Sequence, residues 1–401
     1  MIPTGAIRSD PPDRPGAVDR PTPVIAYLFR ALHDWSRKLA RHGLQHIQAS
    51  DPPGSVVDSP LPRTGIHRIL ICRPNHRLGN LLLLTPLLAE LQHSYPGAQV
   101  DLVVGGQRSN ALFQSFPNVG SVFRLPRHAF RQPLKFLRVL LAVRRERYDL
   151  AIDPDVRSRS SRLLLGRCRT TYRIGFSGIK SAQGLTHAMP IPVAQRHMGQ
   201  LPVLLLRWAM SRRAGNPTDV PSLDLSLFEH ERIWGRQRLA ELLDRSADDP
   251  LPPVVALFTH ATGAKRYEDA WWMQLFATLH ARFPNHAFLE ILPVHGHASL
   301  AGLVPAYYSS SPRRLASIIA AAQLFVTADC GVMHLACAAS GPRVIGLFQR
   351  TDPAVYGPYG SGNRAISTLG HSAAELGADI ARSGSAQFAG TDFGCHGTAA
   401  Y

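Results

Sequence analysis

From residue 66 onward, short unbroken apolar runs alternate with longer segments of helical period. "HRILICR" (67–73) reads as a buried strand, and "NLLLLTPLLAELQHSY" (80–95) as a helix that Pro96-Gly97 stops. "AQVDLVVGG" is a second strand, "SNALFQSFP" a short helix and "SVFRLP" a third strand. The basic helix "PLKFLRVLLAVRRERY" and the strand "DLAIDPD" follow. The second half repeats the rhythm. "PVVALFTH", "HAFLEILPV", "QLFVTAD" and "RVIGLF" are strands, with the helices "EDAWWMQLFATLHARF", "PRRLASIIAAA" and "GVMHLACAASG" between them. This βαβα alternation predicts an α/β fold with parallel sheets covered on both faces. Right-handed crossovers then bring the loops after the strands to one edge, where open α/β sheets bind ligands.

The flanks read differently. Residues 1–23, rich in Pro, Asp and Arg, lack the apolar content of a folded segment. Residues 24–48 have helical period, with Ile25, Leu28, Phe29, Leu32 and Trp35 on one side. Packing on the rest of the protein is the favoured reading of that helix, and a membrane-surface helix is the other. Residues 49–65 read as a proline-bearing linker, and 207–250 as a polar hinge. The predicted organisation is a tail, helix and linker at 1–65, an α/β domain at 66–215, a linker at 216–250, a second α/β domain at 251–382 and a loose tail at 383–401.

Composition places the chain among ordinary globular proteins. It has 401 residues, 45% hydrophobic and 18% charged, enough for two or three domains. Charge is more informative. The formal net charge is +16, and residues 124–173 hold 14 Arg and Lys against 4 Asp and Glu, so +10 of it lies in fifty residues. Such a patch is either a solvated arginine face or the seat of a polyanion: nucleic acid, acidic membrane or phosphorylated glycan. No recognisable nucleic-acid-binding module is present, which counts against nucleic acid. Cys72, Cys168, Cys330, Cys337 and Cys395 are scattered with no CxxC pair, so neither a zinc site nor a disulfide framework is expected, and reduced cytosol fits. No signal peptide and no apolar stretch of about 20 residues is seen.

The sharpest motif is "TADCGVMHLACAASGPRVIGLFQRTDPAVYGPYG", Thr327 to Gly360. A strand ends at Asp329; Cys330 and Gly331 lead into a helix whose free N–H groups suit a phosphate or ribose hydroxyl. His334 lies one turn in, either toward a ligand or as a satisfied core histidine. The next strand ends before Thr351 and Asp352, which offer further polar groups at the same edge. Asp329 and Asp352 serve equally well as helix and turn caps.

These residues resemble the C-terminal signature of glycosyltransferase family nine, which contains the bacterial lipopolysaccharide heptosyltransferases. Further stretches agree: "FTHATGAKRYEDAWWMQL", "YDLAIDPD" and "RPNHRLGNLLLLTPLLAELQHSYPGAQVDLVV", so the resemblance runs from about residue 66 to 380. It implies a GT-B architecture, two Rossmann-like domains facing a cleft, with acceptor bound by the first and nucleotide sugar by the second. It also implies inverting transfer without metal or other cofactor, ADP-heptose as donor and an anionic glycolipid as acceptor. Transfer would take place at the cytoplasmic face, with peripheral contact to anionic membrane. The donor side would be Thr262, Lys265, Arg266, Asp329, Cys330, Gly331, His334, Thr351 and Asp352. A leaving diphosphate needs a cation, and Lys265 is the residue placed to supply it. The acceptor side would be Arg73, Arg77, Gly79, Asp153 and Arg157, with Gly79 letting the chain turn closely.

Two departures stand out. The family places its catalytic base, an Asp, after the first-loop glycine; this chain has Asn80, which orients a hydroxyl but cannot take its proton. Three readings stay open: His76 is the base, the attack needs little base help, or transfer activity has been lost and the chain binds nucleotide sugar or glycan without turnover. The second departure lies after "HAFLEILPV". His295 and His297 stand where the family often has a ribose- or base-contacting Glu, and Glu290 lies within the strand, which leaves the donor open.

Overall fold

A computed structural model describes residues 8–9, 57–106, 109–127, 131–192, 196–213, 219–246, 249–294 and 296–388. The helix expected at 24–48, His295 and the tail after residue 388 lie outside them. The chain divides into two compact units. One holds the described residues 57–227 with Ser311–Arg313, and the other holds Arg8–Ser9, Phe228–Ser310 and the described residues from Arg314 on. The first described element, the two-residue strand β1 (Arg8–Ser9), belongs to the second unit.

The first unit is built on β2 (Arg68–Arg73), α1 (Leu78–Leu82), α2 (Thr85–Ser94), β3 (Gln99–Gly105), α3 (Ser109–Phe113), β4 (Val119–Leu125), α4 (Pro133–Arg145), β5 (Arg147–Asp153), α5 (Arg159–Leu165), β6 (Arg169–Ser177), β7 (His187–Pro190) and α6 (Leu201–Ser211). All its strand pairs are parallel, in the order β4-β3-β2-β5-β6-β7. Numbered within the unit this is 3-2-1-4-5-6, the Rossmann order, so the chain reverses direction between β2 and β5. Ile69, Leu70, Ile71 and Cys72 of β2 are fully buried, as a central strand covered on both faces requires.

The apolar run after Gly79 forms two helices rather than one. Pro86 has no N–H to give the carbonyl of Leu82, which accepts from Thr85 Oγ1 at 2.9 Å instead. The chain turns at Leu83 and Leu84, and Pro86 sits in the first turn of α2.

The second unit repeats the plan with α7 (Glu229–Leu242), β8 (Val254–Phe258), α8 (Asp269–Arg282), β9 (Ala287–Ile291), β10 (Ala306–Tyr308), α9 (Pro312–Ala320), β11 (Leu324–Ala328), α10 (Gly331–Ala338), β12 (Arg343–Phe348), α11 (Pro353–Tyr356), β13 (Arg364–Ser367) and α12 (Ala373–Phe388). Its parallel sheet runs β1-β10-β9-β8-β11-β12-β13, again 3-2-1-4-5-6 from β8 onward, with β1 added at one edge. The reversal here falls between β8 and β11. Trp272, Leu275 and Leu279 of α8 pack with Leu376 and Ile380 of α12 on one face of this sheet. The stretch read as a polar hinge is helical at 229–242, where Leu239, Ala240 and Leu242 are buried.

Candidate functional site

In the second unit, the loops at the reversal point bring three side chains together. β11 ends at Ala328, and Asp329 follows with its carboxylate nearly buried. Lys265 Nζ donates to Asp329 Oδ2 at 2.5 Å, and Thr351 Oγ1 donates to the same oxygen. Lys265 ends a short 3₁₀ turn, Gly263–Lys265, whose first residue has φ +63, a conformation glycine adopts without strain. Gln349 fastens this turn by donating from Nε2 to the carbonyl oxygens of Ala264 (3.2 Å) and Arg266 (3.4 Å). The loops after β8, β11 and β12 thus meet at one carboxylate.

The two aspartates of the motif separate clearly. Asp352 caps α11, accepting from the Ala354 N–H at 2.8 Å. Asp329 caps nothing: α10 is preceded by Cys330, with no side-chain cap, and the Asp329 carboxylate turns to Lys265 and Thr351 instead. Cys330 lies near Thr327, Sγ to Oγ1 3.5 Å, and burial pushes its thiol pKa up. Gly331 opens α10, whereas His334 is only 5% exposed among buried neighbours on that helix, which favours the core reading. Thr262 and Arg266 are exposed beside the Lys265 turn.

Within β9, Glu290 points inward. It accepts from Thr259 Oγ1 (2.9 Å) and from the N–H groups of Ser299 (2.8 Å) and Leu300 (3.2 Å). Its carboxylate therefore moulds the loop that follows the strand. That loop carries His297, whose Nε2 pairs with Asp269 Oδ2 at 2.6 Å, while His260 Nε2 donates to the His297 carbonyl at 2.9 Å. The His297 bond holds the Asp269 carboxyl below the usual carboxylate range. Sequence reading missed Asp269 and Gln349, because their partners are distant in the chain and only the sheet brings them near.

In the first unit the corresponding loops follow β2 and β5. His76 is exposed, and its ring lies against Gly105 at the end of β3; a Cβ there would come within 2.5 Å of His76 Nδ1. The main chain around it is fixed by Gly105 N–H donating to the Asn75 carbonyl (3.1 Å) and Arg77 N–H donating to Asn75 Oδ1 (2.9 Å). Asn80 is half-buried in α1 and Arg77 is exposed at its start. Arg157 is exposed, its N–H donating to Asp155 Oδ1 at 2.8 Å.

Three expected acceptor residues take other positions. Arg73 is 1% exposed at the end of a central strand, so its guanidinium is not offered to solvent. Gly79 lies inside α1 and is not among the left-handed glycines, so no special turn is made there. Asp153 is fully buried, and its carboxylate is filled by Ser161 Oγ (2.6 Å), Arg162 Nε (3.0 Å) and Lys180 Nζ (2.6 Å). Lys180 also donates to the carbonyls of Asp155 and Ser158, tying down the β5–α5 loop. Burial pulls the Lys180 ammonium pKa down and Asp153 pulls it back. Among the described residues, no group of three or more His, Cys, Asp or Glu is arranged to hold a metal ion.

Two Rossmann-like sheets, the second with a lysine and a threonine hydroxyl gathered on one carboxylate at its reversal point, define the class: the α/β, GT-B type of fold. Comparison with known proteins narrows it. Residues 312–378 match glycosyltransferase family 9 (heptosyltransferase), and the resemblance drawn from the motifs is borne out. Solved structures of the same fold include a glycosyl transferase family 9 protein from Veillonella parvula DSM 2008 (TM-score 0.65, 16% identity, 80% of this chain and 90% of that one). E. coli ADP-heptose lps heptosyltransferase II matches with TM-score 0.60 and 16% identity over 80% of this chain and 99% of that one. E. coli heptosyltransferase WaaC with ADP matches with TM-score 0.59 and 20% identity, covering 80% and 98%. A search of curated proteins finds no match.

Proposed function

We propose that this protein is an inverting, metal-independent glycosyltransferase. It moves a heptose-like sugar from ADP-heptose to an anionic envelope glycan of the lipopolysaccharide core type, at the cytoplasmic face of the membrane. The observation that carries this reading is the meeting of Lys265, Asp329 and Thr351 at the reversal point of the second sheet. Open α/β sheets bind nucleotides there. The similarity to an ADP-heptose enzyme and to a transferase solved with ADP supports the choice of donor.

In this reading the acceptor hydroxyl oxygen attacks the anomeric carbon as the bond from that carbon to the diphosphate oxygen breaks. Negative charge grows on the departing diphosphate. Lys265, released from Asp329, meets it, with Arg266 and the N–H groups opening α10 assisting. Asp329 holds the Lys265 ammonium ready beforehand, and Thr262, Thr351 and Cys330 complete the donor-side wall. Asn80 orients the acceptor hydroxyl, and a ring nitrogen of His76 takes its proton as general base. Arg77 and Arg157 hold anionic groups of the acceptor. Asp153 acts through the loop it anchors.

A second reading has one specific observation behind it. An amide at residue 80 fits a chain that binds nucleotide sugar or glycan without turning it over. Transfer from ADP-heptose to a heptose-deficient core acceptor, followed for wild type, Asn80→Asp and His76→Ala, separates the two. Wild-type turnover lost in His76→Ala supports the transferase with His76 as base. Nucleotide binding without transfer in every variant supports the binding protein, and full activity of His76→Ala removes His76 from the role.

A further inference from the structure

The helix α4 carries two apolar rows. Phe136, Val139, Leu140 and Val143 pack on the cluster that includes Leu70, Cys72 and Val103, as a core helix does. Leu134, Leu137 and Leu141 form the other row, and they are 70%, 48% and 48% exposed. At 3.6 residues per turn this row centres roughly 140° round the helix from the core row. A helix needs one apolar stripe to dock on its own sheet; the second stripe has no role there.

The charges beside the outer row are all of one sign. Lys135, Arg138, Arg144 and Arg145 on α4, with Arg131 before it and Arg147 after it, are exposed. Residues 133–145 contain no acidic side chain. The next acid, Glu146, is occupied by Arg68 Nη1 at 2.5 Å. The neighbouring helix α5 covers the same sheet face, sending Leu164 and Leu165 into the same cluster, and it exposes Leu163 (43%) beside an exposed Arg159. Exposed leucines framed by arginines are the make-up of a helix lying in a bilayer interface. A second copy of the chain is disfavoured as occupant, since pairing this face with itself would stack like charges. No helix among the described residues is long and apolar enough to cross a membrane, so contact through this face would be peripheral.

We propose that α4, with Leu163 of α5, is the membrane-docking face of the first unit, with Leu134, Leu137 and Leu141 entering the headgroup boundary of an anionic bilayer. The cations bind acidic headgroups, and the leucines hold the helix once it has arrived. The inference stands on this surface and does not require that the protein transfer sugar.

Sedimentation with phosphatidylcholine vesicles, with and without phosphatidylglycerol, tests it. The wild type should bind the mixed vesicles and release at high salt, and should bind uncharged vesicles weakly. The triple variant Leu134→Ser/Leu137→Ser/Leu141→Ser should lose at least about tenfold in partitioning at low salt. Lys135→Glu/Arg138→Glu/Arg145→Glu should lose as much. Both should keep the wild-type unfolding midpoint and ADP affinity, since none of these side chains is in the core or in the unit that holds Lys265. Undiminished binding by the folded leucine variant overturns the proposal, and so does equal binding to both vesicle types. A self-association broken by the leucine variant, without vesicle binding by the wild type, would overturn it in favour of a second copy.

Discussion

Asp153 and Asp329 occupy equivalent places in the two units. Each stands at the end of the fourth strand of a 3-2-1-4-5-6 sheet, beside the reversal point, and each accepts a hydrogen bond from a lysine. The surroundings differ. Lys180 is 3% exposed in its side chain and Asp153 not at all, with Arg162 and Ser161 closing the group. Lys265 is 32% exposed, and among the described residues Asp329 has Thr351 as its one further side-chain partner. The same pair of residue types is therefore a fastening in one unit and an accessible, exchangeable contact in the other. Access to solvent, not the presence of an Asp–Lys pair, marks the candidate site.

The largest expected difference is in stability. Asp153→Ala leaves the buried Lys180 and the half-buried Arg162 without their anion and should cost about 3–5 kcal/mol in chemical denaturation. Asp329→Ala breaks a partly exposed contact and should cost no more than about 1–2 kcal/mol. Similar losses would erase the contrast.

Activity should reverse that order. Lys265→Ala should lower kcat/KM for transfer by about 10²–10³, the cost of removing one transition-state charge partner, with the unfolding midpoint unchanged. A loss of folding that accounts for the loss of rate would count against it.

Gly105→Ala probes the first unit away from its fastening. The new Cβ would meet the His76 ring and push it aside. Transfer should fall on the order of tenfold, with ADP affinity unchanged, if the ring's position matters to proton removal. An unaltered rate would show that the position of His76 is immaterial.

The smallest effect concerns the loop after β9. Asp269 has a folded-state pKa lowered by His297, so its contribution to stability is complete above the ordinary aspartate range and is lost as pH falls through the lowered value. His297→Ala should remove that acid-side difference in unfolding midpoint and leave neutral pH nearly unaffected, because the pair is largely exposed.

Much of this was legible in the sequence. Apolar strands such as "QLFVTAD" and the amphipathic helices between them announce parallel α/β units, since a sheet covered on both faces has no polar side to alternate. The donor loops were legible too, because Lys265, Asp329 and Thr351 each follow a strand. Less legible were contacts fixed by long excursions of chain. Lys180 lies 27 residues beyond Asp153 and reaches it only after α5 and β6 have been built. Nothing local to Asp153 distinguishes a filled carboxylate from an open one. The break of the first helix at Pro86 was visible as a residue but was outweighed by the apolar run around it.

The most direct test of the central claim is calorimetric titration of ADP into the wild type and Lys265→Ala, with Lys135→Ala as a surface control. The account predicts at least about tenfold weaker binding by Lys265→Ala, with the control and the wild type alike. Equal affinity of all three proteins for ADP would contradict it.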